Sequence, residues 1–288
     1  DVYKRQERWS SRLMPMLVII LLALIVYVLM QPAAVEGLKM YLVPDFSQLS
    51  PALVLNAMGQ AFFSMSLGVG GMLIYGSYLS KRANMPRIGA VVTLIDVGIA
   101  FLAGLLIIPA IFVAQHYGAT IYTDGGELLA GPDLIFRVLP VLFQSMGSAG
   151  SVVAIAFFAL MLIAALTSSI AMLEPAVSRV TEKSSLSRRG SSWAIGLLVT
   201  GISLVIAARF DLLFGFVVDL TTKYSQPFLA MLFCLFVGWL WQRQQVLEEL
   251  RNGHDGIEDS LFWKIWPWYV KFICPVLIFA AYVQKLIS

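Results

Sequence analysis

Small and hydroxyl-bearing residues are concentrated in the middle of the second long apolar run of this sequence. Ser64, Ser66, Gly68 and Gly70 alternate with larger side chains in the stretch 63–70. Glycines two apart beside a serine pair weaken a helix, and unwound backbone at membrane depth is tolerated only where it lines a cavity. There its carbonyls can bind a cation and its amides an anion. The alternative is close packing of two helices on the small residues.

A second group of oxygen-bearing residues interrupts the fourth apolar run. Thr167 and Ser168, together with the carbonyl of Ala164, place three oxygens within about one helical turn. Oxygen ligands of this kind suit a hard cation, so a sodium site is a reasonable hypothesis. The alternative is that the hydroxyls bond to carbonyls one turn back in the same helix.

Three carboxylates lie within apolar runs. Asp96 is nine residues from Arg87, or about 13 Å along a helix. A charge at that depth costs about 2.5–3.5 kcal/mol on insertion scales and is by default functional. Asp219 lies near the predicted outer boundary of its run, close to Lys223, and is a candidate gate residue. Glu174 precedes a proline, and we interpret that position as a kink with its carboxylate in water.

The composition places the chain in a membrane. Hydrophobic residues make up 59% of the sequence and charged residues 13%, against about 25% charged in an ordinary soluble domain. Basic residues fall in short clusters between apolar runs, which argues against nucleic-acid binding. The two cysteines lie in apolar runs as small buried hydrophobes. With no histidine or cysteine placed to act as nucleophile, base or metal ligand, we expect no enzyme.

Seven apolar runs are candidate membrane spans, and only helices fit runs of this length and pattern. They cover about 13–31, 53–79, 88–114, 147–178, 192–208, 212–241 and 262–286. We expect a cytoplasmic head at 1–12, whose first residues are not necessarily native, a transmembrane domain over 13–288 and a long extracellular loop at about 115–146. Short helices are expected in that loop, either as a lid or as a connector packed on the bundle.

The lysines and arginines set the orientation. Fourteen of the 20 fall on one side of the predicted spans, which the positive-inside bias makes cytoplasmic. They are Lys4, Arg5, Arg8, Arg12, Lys81, Arg82, Arg87, Arg179, Lys183, Arg188, Arg189, Arg243, Arg251 and Lys264. We therefore expect a multi-pass protein of the cell's inner (plasma) membrane, with the N-terminus of this chain inside and its C-terminus outside.

With these motifs, the chain resembles the neurotransmitter:sodium symporter family, and within it the bacterial amino-acid branch. The stretches 59–70 and 164–170 are similar to the broken sixth helix and the eighth helix of that family. The resemblance runs from about Glu7 to the end. It implies an all-α membrane protein with the inverted-repeat, leucine-transporter-like fold, present in part as helices five to eleven. The first four helices would be missing, so this stretch alone is not expected to transport.

The resemblance implies two sodium ions and a set of ligands for each. Ser64 and Asp96 would bind the first ion, and Ala164, Thr167 and Ser168 the second. Asp96 stands where the family has an asparagine. Because a fixed carboxylate can balance the sodium charge, we expect no chloride requirement.

The resemblance also implies an amino-acid pocket between two gates. Substrate contacts would come from Phe63, Ser64, Ser66, Val69, Ser168 and Met172, the outer gate from Gln60 and Asp219, and the inner gate from Ser77, Tyr78 and Glu182. Val69 replaces a bulky aromatic residue, which favours a large hydrophobic or aromatic substrate. Discrimination of about 1–3 kcal/mol per methylene predicts a broad range.

Other functions remain open from the sequence. A sodium-coupled carrier of another small solute would share the same broken helices, and a non-transporting membrane subunit is a further alternative. Membrane lipid is the expected surrounding partner. The oligomeric state is left open.

Overall fold

The computed structural model describes residues 2–68, 70–122, 134–254 and 256–287. The α-helices in these ranges are α1 (Val2–Leu29), α2 (Ala34–Leu42), α3 (Pro51–Ser64), α4 (Gly71–Ser77), α5 (Met85–His116), α6 (Leu139–Ser145), α7 (Ser148–Lys183), α8 (Arg188–Ala208), α9 (Phe210–Asp219), α10 (Gln226–Leu235), α11 (Arg243–Arg251), α12 (Leu261–Trp268) and α13 (Cys274–Ile287). The same described ranges contain four π-helical segments, at Leu134–Val138, Leu220–Ser225, Phe236–Leu240 and Tyr269–Ile273.

Six of the predicted spans are continuous helical runs in the described chain. By length and composition they are able to cross a membrane. The remaining predicted span, at 53–79, is divided into the short helices α3 and α4. The predicted all-helical class is confirmed, and so is the interruption of the second span. Helix α1 begins at Val2, so the predicted head at 1–12 is helical from that residue and continuous with the first span.

Serine caps begin three of these helices. Ser50, Ser187 and Ser260 have extended backbone angles, and their hydroxyl oxygens accept from the amides of Leu53, Gly190 and Trp263. A capping hydroxyl satisfies an amide that has no partner within the helix, which fixes where the helix starts. Pro51 follows the first cap at a position where its missing N–H is not needed.

The chain divides into two units. The first comprises the chain up to Phe46 together with Ile95–Ser169. Its core joins α1, α5 and α6 through buried residues such as Val28, Val113 and Leu142. Helix α6 lies in the predicted loop at 115–146 and is packed into this core, so this part of the loop is a packed connector. The loop residues 123–133 lie outside the described ranges.

The second unit comprises Ser47–Leu94 and the chain from Ile170 onward. One cluster joins α3, α10 and α13 through Phe62, Ala230 and Ile278. A second cluster surrounds Trp263 and packs α11 against α12. Hydrogen bonds from Arg251 to Glu258 close the loop between these two helices, and they hold the pKa of the Glu258 carboxyl below its usual range.

Large apolar side chains cover the outside of the spans. On α8, Leu197 and Leu204 are 63% and 66% exposed. Water would make such a surface a site of aggregation, whereas lipid solvates it at no cost. The exposure of α8 therefore agrees with the membrane location inferred from composition.

Candidate functional site

The broken segment lies between the end of α3 and the start of α4. The amides of Met65, Ser66 and Leu67 still donate to the carbonyls of Ala61, Phe63 and Phe62, at 3.0, 3.0 and 2.9 Å. Ser66, Gly68 and Gly70 then take positive φ angles of 52°, 82° and 82°. Left-handed residues at alternate positions cannot continue a right-handed helix. The chain therefore leaves the helix where its small residues are concentrated.

Gly68 is held against the start of α10. A Cβ added to it would lie 2.4 Å from the carbonyl oxygen of Gln226. Only glycine supplies both the left-handed backbone and this close approach. Gln226 itself is 7% exposed, and its Oε1 has no hydrogen-bond partner among the described residues. The break is therefore packed beside a buried amide that the sequence patterns did not single out, although Gln226 follows a run of polar residues inside an apolar span.

The predicted substrate contacts of the second unit differ in exposure. Phe63 is 46% exposed and Ser64 is exposed, whereas Ser66 is half-buried. Met172 projects from α7 and is exposed. Val69 lies outside the described residues. Phe63, Ser64 and Ser66 lie on or beside the break, and the contact of all these positions with a substrate stays a prediction.

The predicted second sodium site lies on α7 in the first unit. Thr167 donates its hydroxyl hydrogen to the carbonyl of Ala164 at 2.9 Å, and Ser169 does the same to Ala165 at 2.8 Å. Back-bonding one turn along the helix is thus present, as the alternative interpretation predicted. It uses the hydrogen of Thr167 and leaves the oxygen lone pairs able to bind a cation. Thr167 and Ala164 are half-buried, and Ser168 is exposed.

Asp96 lies well inside α5 and is half-buried in the first unit. It is eleven residues from the first residue of the helix, Met85, and twenty from the last, which correspond to about 16 Å and 30 Å. The carboxylate therefore lies about three helical turns or more from either end of the helix. Ser64 belongs to the second unit, so a site shared by Ser64 and Asp96 stays a prediction.

A network centred on Glu174 ties the end of α4 to α7 and α8. Tyr78 and Ser178 each donate a hydrogen bond to Glu174 Oε1 at 3.0 Å. Arg188, the first residue of α8, places one terminal nitrogen 2.9 Å from Oε1 and 2.8 Å from Oε2. The side chain of Glu174 is only 12% exposed. The interpretation of this carboxylate as lying in water was therefore wrong, because Arg188 reaches it from the next helix.

The predicted gate residues fall into different surroundings. Tyr78 joins the Glu174 network, whereas Ser77 donates to Ile74 within its own helix at 2.7 Å. Glu182 pairs with Arg179 at 3.6 Å on the surface of α7, with both side chains more than 60% exposed. Glu174, rather than Glu182, is thus the carboxylate that contacts Tyr78.

The two predicted outer gate residues lie in the second unit. Gln60 is exposed on α3, and Asp219 is half-buried at the end of α9. The π-helical segment Leu220–Ser225 follows directly. The role of each residue in an outer gate stays a prediction.

The fold and these features define a polytopic helical membrane protein with one membrane helix broken at a cluster of small residues. The profile of the sodium:neurotransmitter symporter family matches residues 8–288. The chain belongs to this family, as the sequence motifs predicted.

Individual relatives agree with this assignment. An uncharacterized sodium-dependent transporter, YhdH of Bacillus subtilis, is 33% identical over 98% of this chain and 62% of its own length. An uncharacterized sodium-dependent transporter of Haemophilus influenzae is 35% identical over 97% of this chain and 60% of its own. The crystal structure of MhsT in complex with L-phenylalanine superposes with a TM-score of 0.82 and 33% identity, over 95% of this chain and 61% of that one. The chain thus spans about three-fifths of the length of these relatives.

Proposed function

We propose that the full-length protein is a sodium-coupled symporter that imports hydrophobic or aromatic amino acids by alternating access. The observation that carries this proposal is the break at 65–70, with its three left-handed residues. Helices broken in this way bind ions and substrate near the bilayer midplane in secondary transporters. Sodium entry at 100 mV would supply about 2.3 kcal/mol per charge.

Two sodium ions are part of the proposal. Ser64 and Asp96 are proposed ligands of the first, and Ala164, Thr167 and Ser168 of the second. The 2.9 Å pairing of the Thr167 hydroxyl with the Ala164 carbonyl supports the second site, because it already brings two ligand oxygens together on one face of α7. Sodium, as a hard cation, prefers such oxygens.

An amino acid is the proposed substrate, contacted by Phe63, Ser64, Ser66, Val69, Ser168 and Met172. The relative of known structure that carries L-phenylalanine supports a large apolar side chain in this pocket. A pocket lined mainly by apolar and flexible groups discriminates weakly between such side chains. We therefore expect several hydrophobic and aromatic amino acids to compete for it.

Chloride independence rests on Asp96. A carboxylate that stays ionised beside the first sodium would supply the negative charge that otherwise comes from a mobile anion. Neutralising it should create a need for that anion. Asp96→Asn is thus the variant that separates a permanent counter-charge from a merely polar ligand.

The proposed cycle exposes the site to each side in turn. Gln60 and Asp219 would close it from outside, and Tyr78 with Glu174 from the cytoplasm. The 3.0 Å bond between Tyr78 and Glu174 supports the inner closure, because it joins the second half-helix α4 to α7. The proposed location is the inner (plasma) membrane, with the basic loops cytoplasmic.

Uptake by proteoliposomes containing the full-length protein tests these proposals. An inward sodium gradient should drive accumulation of L-phenylalanine, and an equal potassium gradient should not. Replacing chloride by gluconate should leave wild-type uptake unchanged but reduce that of Asp96→Asn. The exposed carboxylate of Asp211, at the start of α9, offers a matched control in Asp211→Asn, which should stay insensitive to chloride.

The outcomes distinguish the parts of the proposal. Sodium-driven uptake of taurine or an amine, with no uptake of any amino acid, would show that the proposed substrate class is wrong. A chloride requirement of the wild-type protein would remove the role given to Asp96. Uptake driven equally by potassium would overturn sodium coupling itself.

A further inference from the structure

A cationic, tryptophan-lined cavity lies at the end of the helical run that finishes at Leu240. Its volume is about 190 Å³, and its lining includes Arg243, Lys271, Trp241, Trp263 and Trp268. Among the described residues that line it, the two charged side chains are both basic. Such a cavity attracts an anion and surrounds it with aromatic rings.

Both cations are fixed by aromatic rings. The Nζ of Lys271 lies 4.5 Å from the centre of the Trp239 ring and 5.6 Å from that of Phe272. The guanidinium carbon of Arg243 lies 5.3 Å from the Trp263 ring. A cation–π contact holds a charge in place without using its N–H donors. Those donors therefore remain suited to an anionic oxygen.

The cavity lies at the end of the candidate span Phe210–Leu240, and the end of a span is where a membrane helix approaches water. A Cβ on Gly238 would be 2.9 Å from the Cα of Lys271, so these two residues share a level. Gly238 is three residues, or about 4.5 Å, from Trp241, where the backbone becomes extended. Five of the chain's seven tryptophans lie between 239 and 268. Tryptophan at this density is typical of a membrane–water interface.

An apolar groove adjoins the cationic cavity. Its volume is about 570 Å³, and the two share Val237, Trp241, Val246 and Trp266. The first turns of α5 form the other side of the groove. Glu249 is the charged residue among its described lining, and it would repel an anion from this end. Charge and polarity therefore divide the combined site into an anion-binding half and a hydrocarbon-binding half.

The geometry points to a binding site for an anionic phospholipid, with its phosphate on Arg243 and Lys271 and an acyl chain in the groove. Free phosphate would leave the groove unused, and a neutral zwitterionic lipid would leave the two cations without a net counter-charge. Basic pockets between membrane helices on one face of the bilayer are known to take such headgroups. Bound lipid would connect the end of the α10 run to α11, α12 and the start of α5.

Lipid titration of the full-length protein in mild detergent tests this inference. The affinity for phosphatidylglycerol should exceed that for phosphatidylcholine of the same chains by at least about tenfold. Arg243→Gln and Lys271→Gln should each weaken phosphatidylglycerol binding about fivefold and leave phosphatidylcholine binding unchanged. Native mass spectrometry gives both affinities, and inorganic phosphate alone should not displace the lipid at millimolar concentration.

Two further variants guard against an effect of folding or of overall charge. Arg243→Lys keeps the charge and should retain most of the affinity. Lys264→Gln removes an exposed positive charge on α12 that is not among the residues lining the cavity, and it should change affinity less than twofold. Equal affinity for the two lipids, displacement by inorganic phosphate, or an equal loss in Lys264→Gln would each overturn the inference.

Discussion

Arg188 holds Glu174 across the turn between α7 and α8, with one guanidinium nitrogen 2.8 Å from Oε2 and 2.9 Å from Oε1. The same carboxylate accepts a hydrogen bond from Tyr78, which directly follows α4. One largely buried carboxylate thus joins the second half of the broken span to two neighbouring helices. Removing the cation would leave that carboxylate desolvated and only partly compensated.

Arg188→Gln is therefore expected to destabilise the protein by about 1–3 kcal/mol. The lower half of that range is favoured because the Arg188 side chain is 47% exposed and water can partly replace it. Thermal unfolding in detergent measures the effect. Adding Glu174→Gln to Arg188→Gln should recover part of the loss, because the carboxylate that lost its cation is then replaced by a neutral amide.

Glu182→Gln provides the control for this pair. Glu182 and Arg179 form a salt bridge on the same helix, but both side chains are mainly in water. A pair of that kind contributes about 0–1 kcal/mol. A loss in Glu182→Gln as large as that in Arg188→Gln would contradict the importance given to burial.

A glycine series tests the shape of the break. Gly68→Ala combines a left-handed backbone with a clash against Gln226, since its Cβ would lie 2.4 Å from a carbonyl oxygen. Gly70→Ala has the same φ of 82° but meets nothing within 4 Å. Gly71 is helical and open. The free energy of unfolding should fall most in Gly68→Ala. It should fall by about 1–2 kcal/mol in Gly70→Ala and not at all in Gly71→Ala.

Unfolding temperatures of the three variants measure this order. The affinity for substrate should fall in the same order, because the break positions the residues of the proposed site. An unfolding temperature of Gly68→Ala equal to that of Gly70→Ala would show that the segment does not press on α10.

Ser66→Gly should raise stability while lowering substrate affinity. Ser66 is a non-glycine residue at a φ of 52°, a conformation that costs an L-residue roughly 1–2 kcal/mol. Glycine removes that strain, and it also removes the hydroxyl proposed to contact substrate. Parallel measurements of unfolding temperature and of L-phenylalanine affinity test both halves. Affinity that stays constant while stability rises would assign Ser66 no part in binding.

The sequence predicted the features that depend only on residues close to one another along the chain. Alternating small residues at Ser64, Ser66, Gly68 and Gly70 predicted the break, because serines and glycines this close together weaken a helix. Apolar runs of about 20 residues predicted the membrane helices, whose length follows from bilayer thickness. The hydrogen bond from the Thr167 hydroxyl to a carbonyl of the preceding turn is also one of the two alternatives that the sequence predicts, because it depends only on residues of that turn.

Contacts between distant parts of the chain were not predictable from these patterns. Arg188 was counted only as a cytoplasmic charge, and nothing in its neighbourhood indicates that it reaches back to Glu174. The close approach of Gly68 and Gln226 joins residues 158 positions apart. The π-helical segment Phe236–Leu240 is not indicated by hydrophobic periodicity either, because one extra residue in a turn does not alter an apolar run.

Thr167→Val tests the second sodium site most directly. Valine keeps the shape of threonine but removes the oxygen, so a proposed ligand of the ion is lost while packing is conserved. A hydrogen bond or ligand contact to a charge contributes about 1.5–3 kcal/mol, and the apparent sodium constant should therefore rise by roughly 10- to 100-fold. Sodium titration of L-phenylalanine binding to the full-length protein measures this constant.

Thr167→Ser keeps the oxygen, and its apparent sodium constant should stay within about threefold of that of the wild type. Ser169→Ala removes a hydroxyl that makes the same kind of bond one turn back, at 2.8 Å, and should not alter sodium affinity. An equal rise in Ser169→Ala would show that the hydroxyls act only through the helix, because the two bonds are alike and only the proposed ligand differs.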